Sequence, residues 1–212
     1  MAVSQKDKIL FASILIICVI ELTGLIGLNS SLQLLFMKLT PLSLLISLAL
    51  FFINQHHFRH GFRFYFALVF LLGFFIEVIG VKTGIIFGNY AYGGTLGLKL
   101  FDVPLLIGAN WFMLIYSTGT ICYQIKQSIF VKSLIGAGMM VVLDLFIEPV
   151  AMKYNFWMWR NGIIPVQNYV AWFMLSFVLL LLFYVFSFVK HNKFANAFFF
   201  VQLCFFILLN IF

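Results

Sequence analysis

The sequence predicts an all-α, polytopic integral membrane protein of about seven transmembrane helices, with two long aromatic and glycine-rich connections on one side. Three observations carry this. Hydrophobic residues make up 64% of the 212 and charged residues only 9%, against roughly 25% charged in an average soluble domain. The apolar residues come in runs of the ~20 needed for a helix to cross the hydrocarbon core, not in the alternating segments of ~10 that build a barrel. The basic residues behind the net charge of +7 fall between these runs, where Lys and Arg orient a chain and meet anionic head groups. Membrane lipids are therefore the expected partner of that charge, and nucleic acid is not.

The runs cover residues 9–28, 34–53, 64–81, 103–123, 129–150, 169–189 and 194–212. They imply a single membrane domain over 1–212, with its motif-bearing part at 74–172. The first run follows Lys6 and Lys8 but ends without a small-x-small cleavage pattern, so it reads as a retained helix. In the second, Lys38 and Pro41 make the start the weakest of the set. With the N-terminus inside, eight basic residues (Lys6, Lys8, Arg59, Arg63, Lys126, Lys132, Lys190, Lys193) lie inside and five (Lys38, Lys82, Lys99, Lys153, Arg160) outside. That bias favours a multi-pass protein of the cytoplasmic (inner) membrane with its N-terminus inside. Cys18, Cys122 and Cys204 sit within apolar runs, without metal or disulfide spacing, and read as small buried hydrophobes.

Two connections stand apart. Residues 82–102 (KTGIIFGNYAYGGTLGLKLFD) carry Asn89, Tyr90 and Tyr92; residues 151–168 (AMKYNFWMWRNGIIPVQN) carry Trp157, Trp159, Arg160, Pro165 and Asn168. Both follow odd-numbered spans, so both lie on one side. Gly80, Gly84 and Gly88 recur every four residues, a spacing that usually marks close helix packing in lipid. His56, His57 and His60 fall among Arg59 and Arg63 on the opposite side and read as a solvated basic loop. No metal site is expected, since no set of His and carboxylate ligands has the required spacing.

The acids are the most informative residues. Glu21, Glu77 and Asp144 each fall within the last two turns of an odd-numbered span, ~6 to 10 Å from its outer end. Glu148 closes the fifth span and Asp102 opens the fourth from the same side, so five acids gather in one leaflet. An acid at the centre of a membrane helix costs about 2.5 to 3.5 kcal/mol, against a gain of about 0.3 to 0.6 per Leu or Phe. Asp144 and Glu148, at i and i+4, share a helix face. Two neighbouring carboxyls in a poorly solvated place do not both ionise cheaply, so one holds a proton beside the other's carboxylate, a ready general acid and base. Structural roles stand beside these. Glu21 can bond to another helix, Asp144 or Glu148 can pair with Lys153 or Arg160, and Trp157, Trp159 and Trp172 can form an interfacial belt.

The segment FGNYAYGGTLGLKLFDVPLLIGANWFMLIY, through Phe87, Gly88, Tyr90, Tyr92, Leu96, Gly97, Val103, Pro104 and Trp111, resembles the carotenoid biosynthesis membrane proteins, a family of carotenoid 1,2-hydratases of the bisanhydrobacterioruberin hydratase kind. The stretch DLFIEPVAMKYNFWMWRNGIIPVQNYVAW adds Asp144, Pro149, Trp157, Trp159, Pro165, Asn168 and Trp172. Three positions depart from the family pattern: Glu148 stands for an Asp, and Asn155 and Ala171 for glycines.

The resemblance implies a hydro-lyase without a cofactor, adding water to the terminal double bond of an acyclic carotenoid end such as that of lycopene, γ-carotene or a bacterioruberin precursor. It implies a lipid-soluble carotenoid as partner, together with other enzymes of carotenoid biosynthesis. Acid–base chemistry falls to Asp144, Glu148, Glu77 and Asp102. The deeper, better shielded Asp144 is expected to give the proton and Glu148 to orient the water, with Glu77 or Asp102 as alternative base. Tyr90, Tyr92, Asn89, Trp111, Trp157, Trp159, Asn168 and Trp172 are expected to surround the substrate, their aromatic faces sheltering a cation. A carotenoid cyclase or isomerase sharing the protonation step, and a small-molecule transporter component, are the rival readings.

Overall fold

A computed structural model describes residues 4–55 and 57–212. Seven helices form among them: α1 (Gln5–Leu28), α2 (Gln33–Ile53), α3 (His60–Thr83), α4 (Leu106–Tyr123), α5 (Ile129–Lys153), α6 (Val166–Val185) and α7 (Lys193–Ile211). Polar residues start three of them. Ser4, Ser128 and Asn192 accept from the backbone N–H of Asp7, Val131 and Ala195 at 3.2, 3.3 and 3.1 Å, which satisfies donors that a helix start leaves free. α2 runs unbroken through Pro41.

Six helices are long and apolar enough to cross a membrane. The exception is α4, and its position explains why. It packs against α2, α3, α5, α6 and α7, and fourteen of its eighteen residues are buried. A helix shielded from lipid by its neighbours tolerates the polar Ser117, Thr118 and Thr120, whose hydroxyls bond back to carbonyls of their own helix. The other helices turn large side chains such as Phe11, Leu34, Phe64 and Val185 outward. Such a surface belongs against acyl chains rather than water, and the chain is a multi-pass membrane protein.

Several sequence expectations change. α6 starts at Val166, three residues earlier than the apolar run suggests, because polar Gln167 and Asn168 find partners from within its first turn, the Ile85 carbonyl and the acids of α5. Asn168 thereby belongs to the first turn of α6 and not to the preceding loop. The Gly80-Gly84-Gly88 spacing is not a helix stripe, since α3 stops at Thr83 and Gly84 caps it with φ 67°. Cys122 is buried, but Cys18 and Cys204 are exposed on the apolar surface. His57 and His60 are exposed, and His56 lies outside the described residues.

Four short strands shape the two long connections. β1 (Tyr90–Tyr92) pairs antiparallel with β4 (Trp157–Trp159), and β2 (Lys99–Leu100) with β3 (Val103–Pro104). The second pair is a hairpin whose two tip residues, Phe101 and Asp102, have φ of 54° and 70°, the geometry of a tight two-residue turn. Before β4, Asn155 also has positive φ, 55°. That explains both the glycine of the family pattern and its replacement here, for Asn tolerates the left-handed region better than most residues. Ala171, the other replaced glycine, lies inside α6, where alanine is the better helix former.

Asn155→Val should therefore lower the unfolding temperature of the detergent-solubilised protein, by the ~1–2 kcal/mol that left-handed backbone costs other residues, whereas Asn155→Gly should leave it within a degree or two. Equal behaviour of the two variants would show that the turn carries no such constraint.

Candidate functional site

The ribbon of β1 and β4 builds the site. Its register sets Tyr90 opposite Trp159 and Tyr92 opposite Trp157. Alternate residues of a strand face the same side, so Tyr-x-Tyr and Trp-x-Trp aim four aromatic side chains at one face, while Ala91 and Met158 point outward and are exposed. Backbone bonds extend the union, from Gly93 N–H to the Phe156 carbonyl at 2.8 Å and from Arg160 N–H to the Asn89 carbonyl at 2.9 Å. The two connections, far apart in sequence, form one cap over the ends of α3 and α5.

Under the cap lie three buried carboxyls. Glu77, on α3, accepts three hydrogen bonds: Tyr90 Oη at 2.5 Å and Tyr92 Oη at 2.8 Å on one oxygen, and Trp111 Nε1 at 2.9 Å on the other. Burial, with the charge of Glu77 beside them, pushes both tyrosine hydroxyls well above the usual range, so they stay protonated and donate. Gly73 admits Trp111, since a Cβ there would come within 2.6 Å of the Trp111 Cβ. Trp172 from α6 packs against Trp111, its ring tilted by 33° and the centroids 4.5 Å apart.

Glu148, on α5, also accepts three bonds. Trp159 Nε1 at 2.5 Å and Trp157 Nε1 at 3.0 Å share Oε2, and Asn168 Nδ2 reaches Oε1 at 3.0 Å. The same Asn168 amide donates to Asp144 Oδ2 at 2.8 Å, so one side chain bridges the i, i+4 pair. Asp144 is fully buried and its Oδ1 has no partner among the described residues. Neither acid pairs with Lys153 or Arg160, since the one ion pair among the described residues joins Lys82 and Asp102.

Two cavities meet here. A chamber of about 20 Å³ is walled by Glu77, Glu148, Asn168 and the faces of Tyr90, Trp159 and Trp172, among others. A site needs about 10–15 Å³ of this kind of volume to hold a water, so the chamber has room for about one. Beside it lies a cavity of about 240 Å³, lined mostly by apolar residues of α1, α2, α4 and α7. Exposed Leu39 and Leu42 on its rim carry it to the lipid-facing surface. Ile107, Asn110 and Trp157 line both spaces and form the partition between them.

Of the residues expected from the sequence, the structure brings together Glu77, Asp144, Glu148, Tyr90, Tyr92, Trp111, Trp157, Trp159, Asn168 and Trp172. It does not bring in Asp102 or the side chain of Asn89. Asp102 sits at the exposed hairpin tip, where Lys82 holds its carboxyl below the usual range. Asn89 is exposed and joins the cap through its backbone carbonyl. Glu21 lies apart, on the wall of the larger cavity. Sequence reading missed Asn110, whose amide makes no hydrogen bond among the described residues. The available signal is an Asn inside an apolar span, an expensive placement for a polar side chain.

The family model for carotenoid biosynthesis proteins matches residues 36–212. A curated relative, the bisanhydrobacterioruberin hydratase of Haloarcula japonica, is 30% identical over 121 residues, covering 53% of this chain and 41% of that protein. This chain thus aligns with less than half of its relative's length. No solved structure matches.

Because a buried acceptor left without its donor costs about 1–3 kcal/mol, Trp159→Phe, which leaves Trp157 still bonded to the same oxygen, should destabilise the detergent-solubilised protein by about 1 kcal/mol, the low end of that range. Asn168→Leu should cost more, as it strips a donor from two acids at once. If thermal unfolding ranks Asn168→Leu below Trp159→Phe in damage, the amide is not the bridge described.

Proposed function

The chain belongs to the carotenoid biosynthesis protein family, and from that premise we propose that it is a hydratase adding water across the terminal double bond of an acyclic carotenoid end, such as that of lycopene. The observation that carries this reading is the junction of the two cavities: an apolar space open to lipid abuts a carboxyl-walled chamber with room for about one water. At about 240 Å³ the larger space is smaller than the roughly 300–1,000 Å³ of a site that engulfs a drug-sized ligand. It suits the end of a long chain whose remainder lies in the bilayer. The hydratase named among the relatives points the same way.

In this reading a carboxyl protonates the less substituted carbon of the double bond, leaving a tertiary cation. Water bonds to that cation through its oxygen and releases its surplus proton to the carboxylate just formed. One carboxyl thus gives a proton and takes one back, and the net change is the addition of one water. We assign this carboxyl to Glu148 rather than to the deeper Asp144, because Glu148 lines the chamber and Asp144 lines neither cavity. The donors on Glu148 from Trp157, Trp159 and Asn168 strengthen as its negative charge develops, which is where stabilisation speeds a reaction. Glu77, held by three donors, offsets the positive charge, and the faces of Trp157 and Trp159 shelter it. Asp144 acts through Asn168 as a positioning residue. Asn110, on the partition, holds the water facing the substrate.

Expressed in a lycopene-producing host, the protein should yield pigment heavier by one or two waters. Glu148→Gln should lower that conversion by ~10² to 10⁴, while Asp102→Asn should leave it unchanged. A cyclised product of unchanged mass would refute hydration. Near-normal turnover by folded Glu148→Gln would move the acid role to Asp144 or Glu77.

The same reading sets the cap on the outer face of a cytoplasmic membrane, from the balance of loop charges. In intact cells an impermeant thiol reagent should label Leu98→Cys, at an exposed position, and spare Arg59→Cys; the opposite pattern would invert the topology.

A further inference from the structure

The larger cavity holds a polar feature that the hydration step leaves unused. Glu21 of α1 and Gln202 of α7 both stand in its wall. Gln202 Nε2 donates to Glu21 Oε1 at 2.7 Å, and the second carboxyl oxygen of Glu21 has no protein partner among the described residues. The hydroxyls of Thr40, Ser43 and Ser47 in that wall are engaged, donating to carbonyls of their own helix at 3.3, 2.8 and 2.8 Å, and Asn110 stands at the partition with the smaller chamber. Within a mostly apolar wall and away from that partition, Glu21 and Gln202 offer one free acceptor beside an amide. A bond between helices would account for one oxygen of Glu21. It does not account for an acid placed on a cavity wall, where an amide pair would tie the helices at lower cost.

We propose that Glu21 and Gln202 form a hydroxyl-binding subsite, and that the cavity takes an isoprenoid end bearing an alcohol as well as a plain hydrocarbon end. An alcohol both donates and accepts. Its O–H would donate to the free oxygen of Glu21, and its oxygen would accept from the second amide hydrogen of Gln202. A hydrocarbon has nothing to offer either group. This rests on reading the cavity as an isoprenoid site, and it gives the cavity a preference for the alcohol that hydration makes. The subsite would hold one hydroxylated end, which suits a chain whose product is itself a tertiary alcohol.

The test is binding without turnover, so that its outcome is separable from that of the hydration reading. Purified full-length protein in lipid nanodiscs is titrated with nerolidol, a tertiary isoprenoid alcohol, and with farnesene, a hydrocarbon of the same skeleton, following tryptophan fluorescence. Wild type should bind nerolidol about tenfold more tightly than farnesene. Glu21→Leu should level that difference by weakening nerolidol alone. Glu21→Gln, which keeps an amide bond between α1 and α7 and so protects folding, should reduce the preference several-fold, since an NH2 group then stands where the alcohol O–H would find its acceptor. If wild type shows no preference, if it binds neither probe, or if both variants keep the full preference and lose only thermal stability, the subsite is refuted and the pair is a helix tie. A preserved preference in a protein that hydrates no carotenoid would sink the hydration reading and leave the subsite standing.

Discussion

The structure depends on one constraint: three carboxyls buried at one end of a helix bundle must be supplied with hydrogen-bond donors from groups that lipid cannot provide. Lipid offers a buried acceptor no donor, so the chain must supply them. Glu77 takes its three from two tyrosines and a tryptophan, and Glu148 takes its three from two tryptophans and an asparagine. Those donors sit on the cap, on α4 and on α6. The carboxyls thus dictate where the cap docks, how closely α4 approaches α3 and where α6 begins.

The same arrangement separates two solvents within a short distance. Trp157 gives its N–H to Glu148 on one side and lines the apolar cavity on the other, so a single ring belongs to both the polar and the apolar space. Aromatic residues with a polar edge suit that boundary, since they bury a large apolar face while their N–H or O–H finds a partner. The proposed hydration, which brings a hydrocarbon and a water together, needs such a wall. In it, Asn110 has an unengaged amide where the two spaces meet.

Much of this was legible in the sequence, for reasons that particular residues make plain. Long apolar runs give helices because the bilayer requires every backbone group to be bonded within its own segment. The cost of an acid in lipid marks Glu77, Asp144 and Glu148, and the Tyr-x-Tyr and Trp-x-Trp spacings carry a strand's two-residue period. What the sequence could not supply was pairing. Nothing in residues 82–102 says that Tyr90 will lie opposite Trp159, or that the tip of a tight hairpin will carry Asp102 away from the other acids. By hydropathy Asn168 reads as a loop residue because the apolar run begins after it, yet α6 starts at Val166 and turns that side chain onto both α5 carboxyls. Asn110 gives a single signal, the cost of one amide inside an apolar span, and no spacing ties it to the other site residues.

The central claim is that this carboxyl-lined chamber joins a proton and a water to a hydrocarbon end. The most direct measurement is the fate of isotope when purified protein meets an acyclic carotenoid in heavy-oxygen water, and separately in deuterated water. The account predicts a tertiary alcohol whose oxygen comes from the water, with one non-exchangeable deuterium on the neighbouring carbon for each hydroxyl gained. A product that carries the deuterium but no oxygen from water, or a hydroxyl whose oxygen has another source, would contradict it.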